Sequence, residues 1–216
     1  VFNVDGSYSF DPSHEAYQNL AEGETREVVF NWKATDIHGA DSAIESVTIT
    51  LEGGNDLPVI TSTSDDAQGT ATEAGHLDDG TVVAATTATG TLSSSDVDNN
   101  STATWTGNNI GTYGSFAINS TSGVWTYSVD ATADSAADKL AEGETKTETF
   151  TAIVTDDKGA TATQTVTVTI EGMNDAPVAV NDTHMDGTAR SVDVSQNHAR
   201  INVGNTDMGF TNAFTI

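Results

Sequence analysis

Apolar side chains fall on alternate positions along much of the chain. Phe150, Ala152 and Val154 keep this spacing, as do Val166, Val168 and Ile170 within TVTVTIE, and Trp125, Tyr127 and Val129. A period of two carried by β-branched and aromatic residues predicts strands that bury one face and wet the other. Such strands pack as antiparallel sheets laid face to face. The turn signals DNNS, STSG and DDKG separate them at the spacing of a sandwich. One stretch, DSAADKLAEGE (134–144), is predicted to make a short helical turn. The expected fold class is all-β, built of tandem antiparallel β-sandwich modules.

The pattern occurs twice. LAEGET stands at 20–25 and again at 140–145, followed by FNWKATD (30–36) and FTAIVTD (150–156), each with a glycine three residues on. SVTITLEGGNDLPV (46–59) then answers TVTVTIEGMNDAPV (165–178), while Tyr8 and Asp11 upstream answer Tyr127 and Asp130. The offset drifts between 119 and 120 residues, which marks a true internal repeat. Residues 1–56 are expected to be the C-terminal half of a first sandwich repeat, and 57–177 a complete one. Residues 178–216 stop matching, and form a boundary segment or the beginning of a different β domain. Pro58 and Pro177 follow the junction motifs Asn55-Asp56 and Asn174-Asp175, and limit flexibility there.

Charge narrows the partners. The chain holds 32 acidic residues against 7 Lys and Arg, a formal charge of −25, and no cysteine. Phosphate binding needs clustered Lys and Arg, so nucleic acid is excluded, and an anionic membrane surface with it. No apolar run approaches the roughly 18 residues of a membrane-spanning helix, and Val1 does not open a signal peptide. The chain reads as cut from something longer, and as a monomer. Such charge favours multivalent cations that relieve self-repulsion, and equally fits a plain solvated acidic surface. No enzyme constellation is present: the five histidines are scattered, and neither a nucleophile elbow nor a phosphate-cradling glycine loop occurs. The paired carboxylates lie in loop turns rather than across a cleft, so the protein is expected not to be an enzyme. Trp32 and Trp125 alternate with core residues and are expected inside rather than stacked on sugars.

Ca²⁺ takes six to eight oxygen ligands from carboxylates, amide oxygens and carbonyls. With strands running alternately along the module, Asp96, Asp98 and Asp156 fall at its upstream pole, where the linker Asn55-Asp56 arrives. Glu22 and Glu24 of the preceding half-repeat are expected to reach the same pole. The same logic gathers Glu142, Glu144, Asn174 and Asp175 at the downstream junction, with Glu73 of the first-strand region beside them. LAEGET would then recur because each module needs acids at its downstream pole. The bland alternative is that these acids only hydrogen-bond their own turns.

The arrangement resembles immunoglobulin/cadherin-like modules, and cadherin-like repeats in particular. Leu140-Ala141-Glu142-Gly143-Glu144, Met173-Asn174-Asp175 and Asp96-Val97-Asp98 stand where that family carries its Leu-Asp-Arg-Glu loop, its linker and its Asp-x-Asp loop. Gly172 replaces the linker's first acid and Ala176 its last Asn, which implies one or two Ca²⁺ per junction rather than three. The run from GTYGSFAINSTSGVWTYSVD through LAEGET to NDAPV is similar to the VCBS repeat of RTX-type adhesins, over roughly residues 1–178. That resemblance implies secreted tandem extender repeats on a bacterial cell surface, rigidified by calcium and serving adhesion and biofilm formation. Their partners would be neighbouring repeats of the same chain, with glycans or host and biofilm surfaces engaged through adjacent domains. The tail resembles the opening of a laminin-G-like or concanavalin-like lectin domain. The alternative reading is a carbohydrate- or surface-binding module, or an accessory region of a secreted polysaccharide-degrading enzyme.

Overall fold

The structure, a computed structural model, describes residue 3, residues 5–77 and 79–176, and the backbone of residues 200–201 and 214–215. The first copy contributes β1 (Thr25–Trp32) and β2 (Glu45–Glu52), paired as an antiparallel hairpin. The second contributes β3 (Val59–Ile60), β4 (Gln68–Thr72), β5 (Gly75–His76), β6 (Val82–Val83), β7 (Thr87–Thr91), β8 (Ser94–Ser95) and β9 (Ala103–Thr106). It continues with β10 (Asn109–Ile110), β11 (Gly114–Ile118), β12 (Val124–Val129), β13 (Thr145–Asp156) and β14 (Thr161–Glu171). In the tail, β15 (Arg200–Ile201) pairs antiparallel with β16 (Phe214–Thr215), and the lectin-like expectation otherwise lies outside the described residues.

Two four-stranded sheets, ordered β4-β14-β13-β9 and β10-β11-β12-β7, enclose the core. The alternating residues supply it: Phe150, Ala152, Val154, Val166, Val168 and Ile170 from one sheet face Phe116, Ile118, Trp125 and Tyr127 from the other. Phe116 stacks on Phe150 with ring centroids 5.0 Å apart. The fold is all-β as the period predicts, with one departure from antiparallel pairing: β4 runs parallel to β14. A first strand that pairs in parallel with the last makes the chain enter at one pole and leave at the other. Modules so built join end to end, with their linkers at the poles.

The two copies agree in detail. Thr25 pairs with Glu52 as Thr145 pairs with Glu171, and Thr35 bridges Asp41 as Thr155 pairs with Thr161. Between these pairs the first copy carries four steps (Asp41 to Glu45) opposite three (Trp32 to Thr35), where the second has three on each side. The extra residue is a β-bulge, and it is the physical origin of the step from 120 to 119 within this hairpin.

Two expectations are corrected. Residues 134–144 form turns rather than a helix, because local side chains capture the backbone. The Asp134 N–H donates to Asp138 Oδ2 (2.7 Å), Ser135 Oγ donates to Asp130 O (2.9 Å), and Asp134 itself sits at φ +65°. Short 3₁₀ turns form at Glu15–Tyr17 and Asp65–Ala67 instead. Trp125 is buried between the sheets, but Trp32 is 42 % exposed. Its hairpin is a two-stranded sheet, with no second four-stranded sheet over it among the described residues.

Candidate metal centre

LAEGET builds the same loop twice. Ala21 N–H donates to Glu24 Oε2 and Ala141 N–H to Glu144 Oε2, both at 3.2 Å. Gly53 N–H donates to Glu24 O (2.9 Å), as Gly172 N–H does to Glu144 O (2.8 Å). Leu20 and Leu140 are buried beneath the loops, and Gly23 and Gly143 turn them at φ +80° and +77°. The second glutamate of each copy is therefore first a cap for its own loop. Asp36 and Asp156 likewise close equivalent hairpin turns, each Oδ1 accepting two backbone N–H groups.

At the upstream pole the linker, the first copy and the second module meet. Asp56 N–H donates to Asp98 Oδ2 (2.8 Å), and Asn55 Nδ2 donates to Asp156 Oδ2 (3.0 Å). Asp98 N–H donates to Asp96 Oδ1 (3.0 Å). Glu24 is tied in through Asn99, whose Nδ2 donates to Glu24 Oε2 (2.8 Å) while its Oδ1 accepts from Asn19 Nδ2 (2.8 Å). Asp98 is only 8 % exposed. Burial pushes the Asp156 carboxyl up, but the Asn55 amide and the backbone N–H groups of its turn outweigh this and hold it below the usual range.

The downstream pole is organised around Glu73, which is 1 % exposed. Its Oε1 accepts from Met173 N–H (2.6 Å), and its own N–H donates to Glu171 O (3.0 Å). His76 N–H donates to Asn174 O (2.6 Å), and the two residues form a β-bridge. Gly75 is required between them, because a Cβ there would lie 2.4 Å from Met173 Cβ. Burial, reinforced by the charges of Asp175, Asp138 and Glu144, pushes the Glu73 carboxyl up to about 7. Asp175 is also raised, by burial and then by Asp138. Glu144 is lowered by its ion pair with Lys146 (2.8 Å).

The structure thus brings Glu24, Asn55, Asp56, Asp96, Asp98 and Asp156 to one pole, and Glu73, Glu144, Asn174 and Asp175 to the other. Glu22 and Glu142 are exposed at the loop tips, and among the described residues no side-chain hydrogen bond ties either to its pole. Sequence reasoning missed Asn19, Asn99, Asp138 and His76. The adjacency of Asn99 to Asp98 was a usable signal, whereas the other three join only through the fold.

Among the described residues, no three carboxylate or imidazole side chains converge closely enough to enclose a metal as they stand. Yet four buried side-chain atoms there lack a hydrogen-bond partner: Asp96 Oδ2, Asp98 Oδ1, Glu73 Oε2 and His76 Nδ1. All are metal-ligating atoms, and they fall two at each pole. Unpaired buried polar atoms are costly and call for a partner such as an ion. The residues present therefore fit a cation. Trp105 and Trp125 are buried, which removes them as sugar-stacking platforms.

Residues 55–172, more than half of the chain, match the profile of the bacterial cadherin-like domain. None of the curated proteins matches the chain. Among solved structures, a segment of mouse cadherin-23 is similar at 15% identity and a TM-score of 0.36, over 77% of this chain and 45% of that one. Drosophila N-cadherin is similar at 12% identity and a TM-score of 0.33, over 76% of this chain and 62% of that one. The extracellular domain of protocadherin gamma B4 is similar at 16% identity and a TM-score of 0.38, over 80% and 24%. The chain spans less than two thirds of the length of each of these structures.

Proposed function

Because the chain belongs to the bacterial cadherin-like domain family, we propose that it is a structural extender of a bacterial cell-surface adhesin, with calcium rigidifying its module junctions. Residues 1–56 act as the C-terminal half of one repeat, 57–177 as a complete repeat, and 178–216 as a boundary segment or the beginning of a different β domain. The protein is secreted and non-enzymatic, and its partners are the neighbouring repeats of the same chain. Adhesion and biofilm formation belong to the assembled array, which engages glycans or surfaces through adjacent domains. Within the described residues no helix is long and apolar enough to cross a membrane.

The observation that carries this reading is the placement of the orphaned buried carboxylate oxygens. Asp98 Oδ1 belongs to the carboxylate that accepts from the linker residue Asp56, Asp96 Oδ2 to the one that accepts from Asp98 N–H, and Glu73 Oε2 to the one that accepts from Met173 N–H. Asp96, Asp98, Asp156, Asp56, Asn55 and Glu24 would hold an ion at the upstream junction. Glu73, Asp175, Asn174 and Glu144 would do so downstream, with Glu22 and Glu142 recruited from the loop tips. Bound calcium supplies positive charge that offsets the mutual repulsion of acids contributed by two modules and a linker.

Thermal unfolding in chelator, then in millimolar Ca²⁺ or Mg²⁺, tests the reading. Extracellular calcium modules bind at about 10⁻⁴–10⁻³ M. Millimolar calcium, about 1 to 10 times such a Kd, would add about 0.4–1.4 kcal/mol per site, a rise of a few degrees. Calcium alone is expected to produce this shift. Equal midpoints in all three conditions would reduce the acids to a solvated surface.

A further inference from the structure

The poles carry apolar side chains as well as acids. Upstream, Val59 pairs with Ser95 in the antiparallel β3–β8 register, and carrying that register back sets Leu57 opposite Val97. The hydrogen bond from Asp56 N–H to Asp98 Oδ2 continues the same ladder. Leu57, Val59 and Val97 are all exposed, while Pro58 and Ile60 turn inward between them. The period of two therefore places the three aliphatic residues on one outward face. Downstream, the β5–β6 hairpin exposes Leu77 and Val82, the latter by 73 %. In a chain of charge −25, aliphatic clusters at opposite ends of one module mark surfaces for a partner.

The repeat itself identifies that partner. His76 N–H donates to Asn174 O, which holds the β5–β6 hairpin against the downstream linker. Asn174 is the counterpart of Asn55, and Ala176 of Leu57. The same hairpin of an upstream module would therefore sit against Asn55, two residues before Leu57. Among the described residues the first copy has no counterpart of this hairpin. It reaches the pole through Asn19 and Glu24 at Asn99, and leaves the aliphatic face open. We infer that copies of this chain join head to tail, with Leu77 and Val82 of one copy seated on Leu57, Val59 and Val97 of the next. The inference rests on the tandem reading of the modules, but not on calcium. Because the two surfaces differ, the contact is heterologous, and every assembly keeps one of each free at its ends. Five aliphatic side chains make a small interface, so single contacts are weak and gain strength when arrays present many. Salt favours it, since two chains of −25 repel until screened.

The test is sedimentation equilibrium of the full chain at about 0.1–1 mM in ~0.15 M salt, the range of a small, weak contact. Growth beyond the dimer is expected as concentration rises. Val59→Asp and Val82→Asp, both at exposed positions, should each weaken association about tenfold or more. Ile110→Asp, exposed on the edge strand β10, is the control expected to associate as the native chain does. Mixing Val59→Asp with Val82→Asp is the decisive arm. Each keeps one intact surface, so together they should form a dimer that grows no further. A monomer throughout the range, growth unchanged by either variant, or no dimer on mixing would overturn the proposal. Calcium-dependent melting of the same samples reads the junction acids separately. A chain without that response that still assembles head to tail loses the calcium reading and keeps this one.

Discussion

At the scale of single residues, the repeated six-residue motif has a structural cause before it has a functional one. Each copy needs a buried leucine, a glycine at positive φ and a glutamate that caps its own loop. The partner glycine across the loop is equally constrained. A Cβ on Gly172 would lie 2.4 Å from Ala141 O and 2.7 Å from Leu140 Cβ. Gly172→Ala therefore forces the loop off the last strand, and is expected to cost roughly 1–3 kcal/mol in urea unfolding. Gly54→Ala, with nothing within 4 Å of the added carbon, is the control expected to change little. Equal midpoints for both variants would remove the loop contact from the explanation.

At the scale of elements, the two long hairpins share register and turn chemistry but not burial. The β13–β14 hairpin lies under a facing sheet, and Trp125 on that sheet is fully enclosed, its Nε1 donating to Asp66 O (2.8 Å). Gly69 and Gly90 make room for the ring, since a Cβ on either would lie within 2.9 Å of it. Trp125→Ala is expected to cost about 3–5 kcal/mol of sandwich stability. Trp32→Ala is expected to cost much less, about 1 kcal/mol, because that side chain is already 42 % exposed. Chemical denaturation of the two variants side by side checks this. The alternation of Trp32 with Phe30 and Val28 made it read as core. Periodicity reports which face of a strand is apolar, and cannot report whether a second sheet covers that face.

At the scale of the whole molecule, parallel pairing of the first and last long strands sets the linkers at opposite poles, and the acids follow them. The hydrogen bond from Asp56 N–H to Asp98 Oδ2 joins the linker to the second module. Asp98→Ala removes that acceptor and an orphaned oxygen together. It is expected to raise backbone mobility at residues 55–56, measured by NMR relaxation in calcium, more than it lowers the unfolding midpoint of the sandwich. Equal loss of sandwich stability with unchanged mobility at the junction would sink that role for Asp98.

By itself the sequence determined the strands, the all-β class and the repeat, because a period of two and a fixed offset are local or self-referential signals. Even the drift in that offset was legible, and the structure traces its step from 120 to 119 after the hairpin turn to one bulge between Asp41 and Glu45. The acids at turns were also visible, since Asp-x-Asp and Asn-Asp mark loops. Only the tertiary structure decided which of them meet. Asn99 reaches Glu24 across 75 residues and Glu73 reaches Met173 across 100, and no local pattern encodes such separations. Nor could the sequence show that His76 lies against Asn174, or that four ligating atoms are buried without partners. Burial and convergence belong to packing, in which strands far apart in the chain are brought side by side by the burial of their apolar faces.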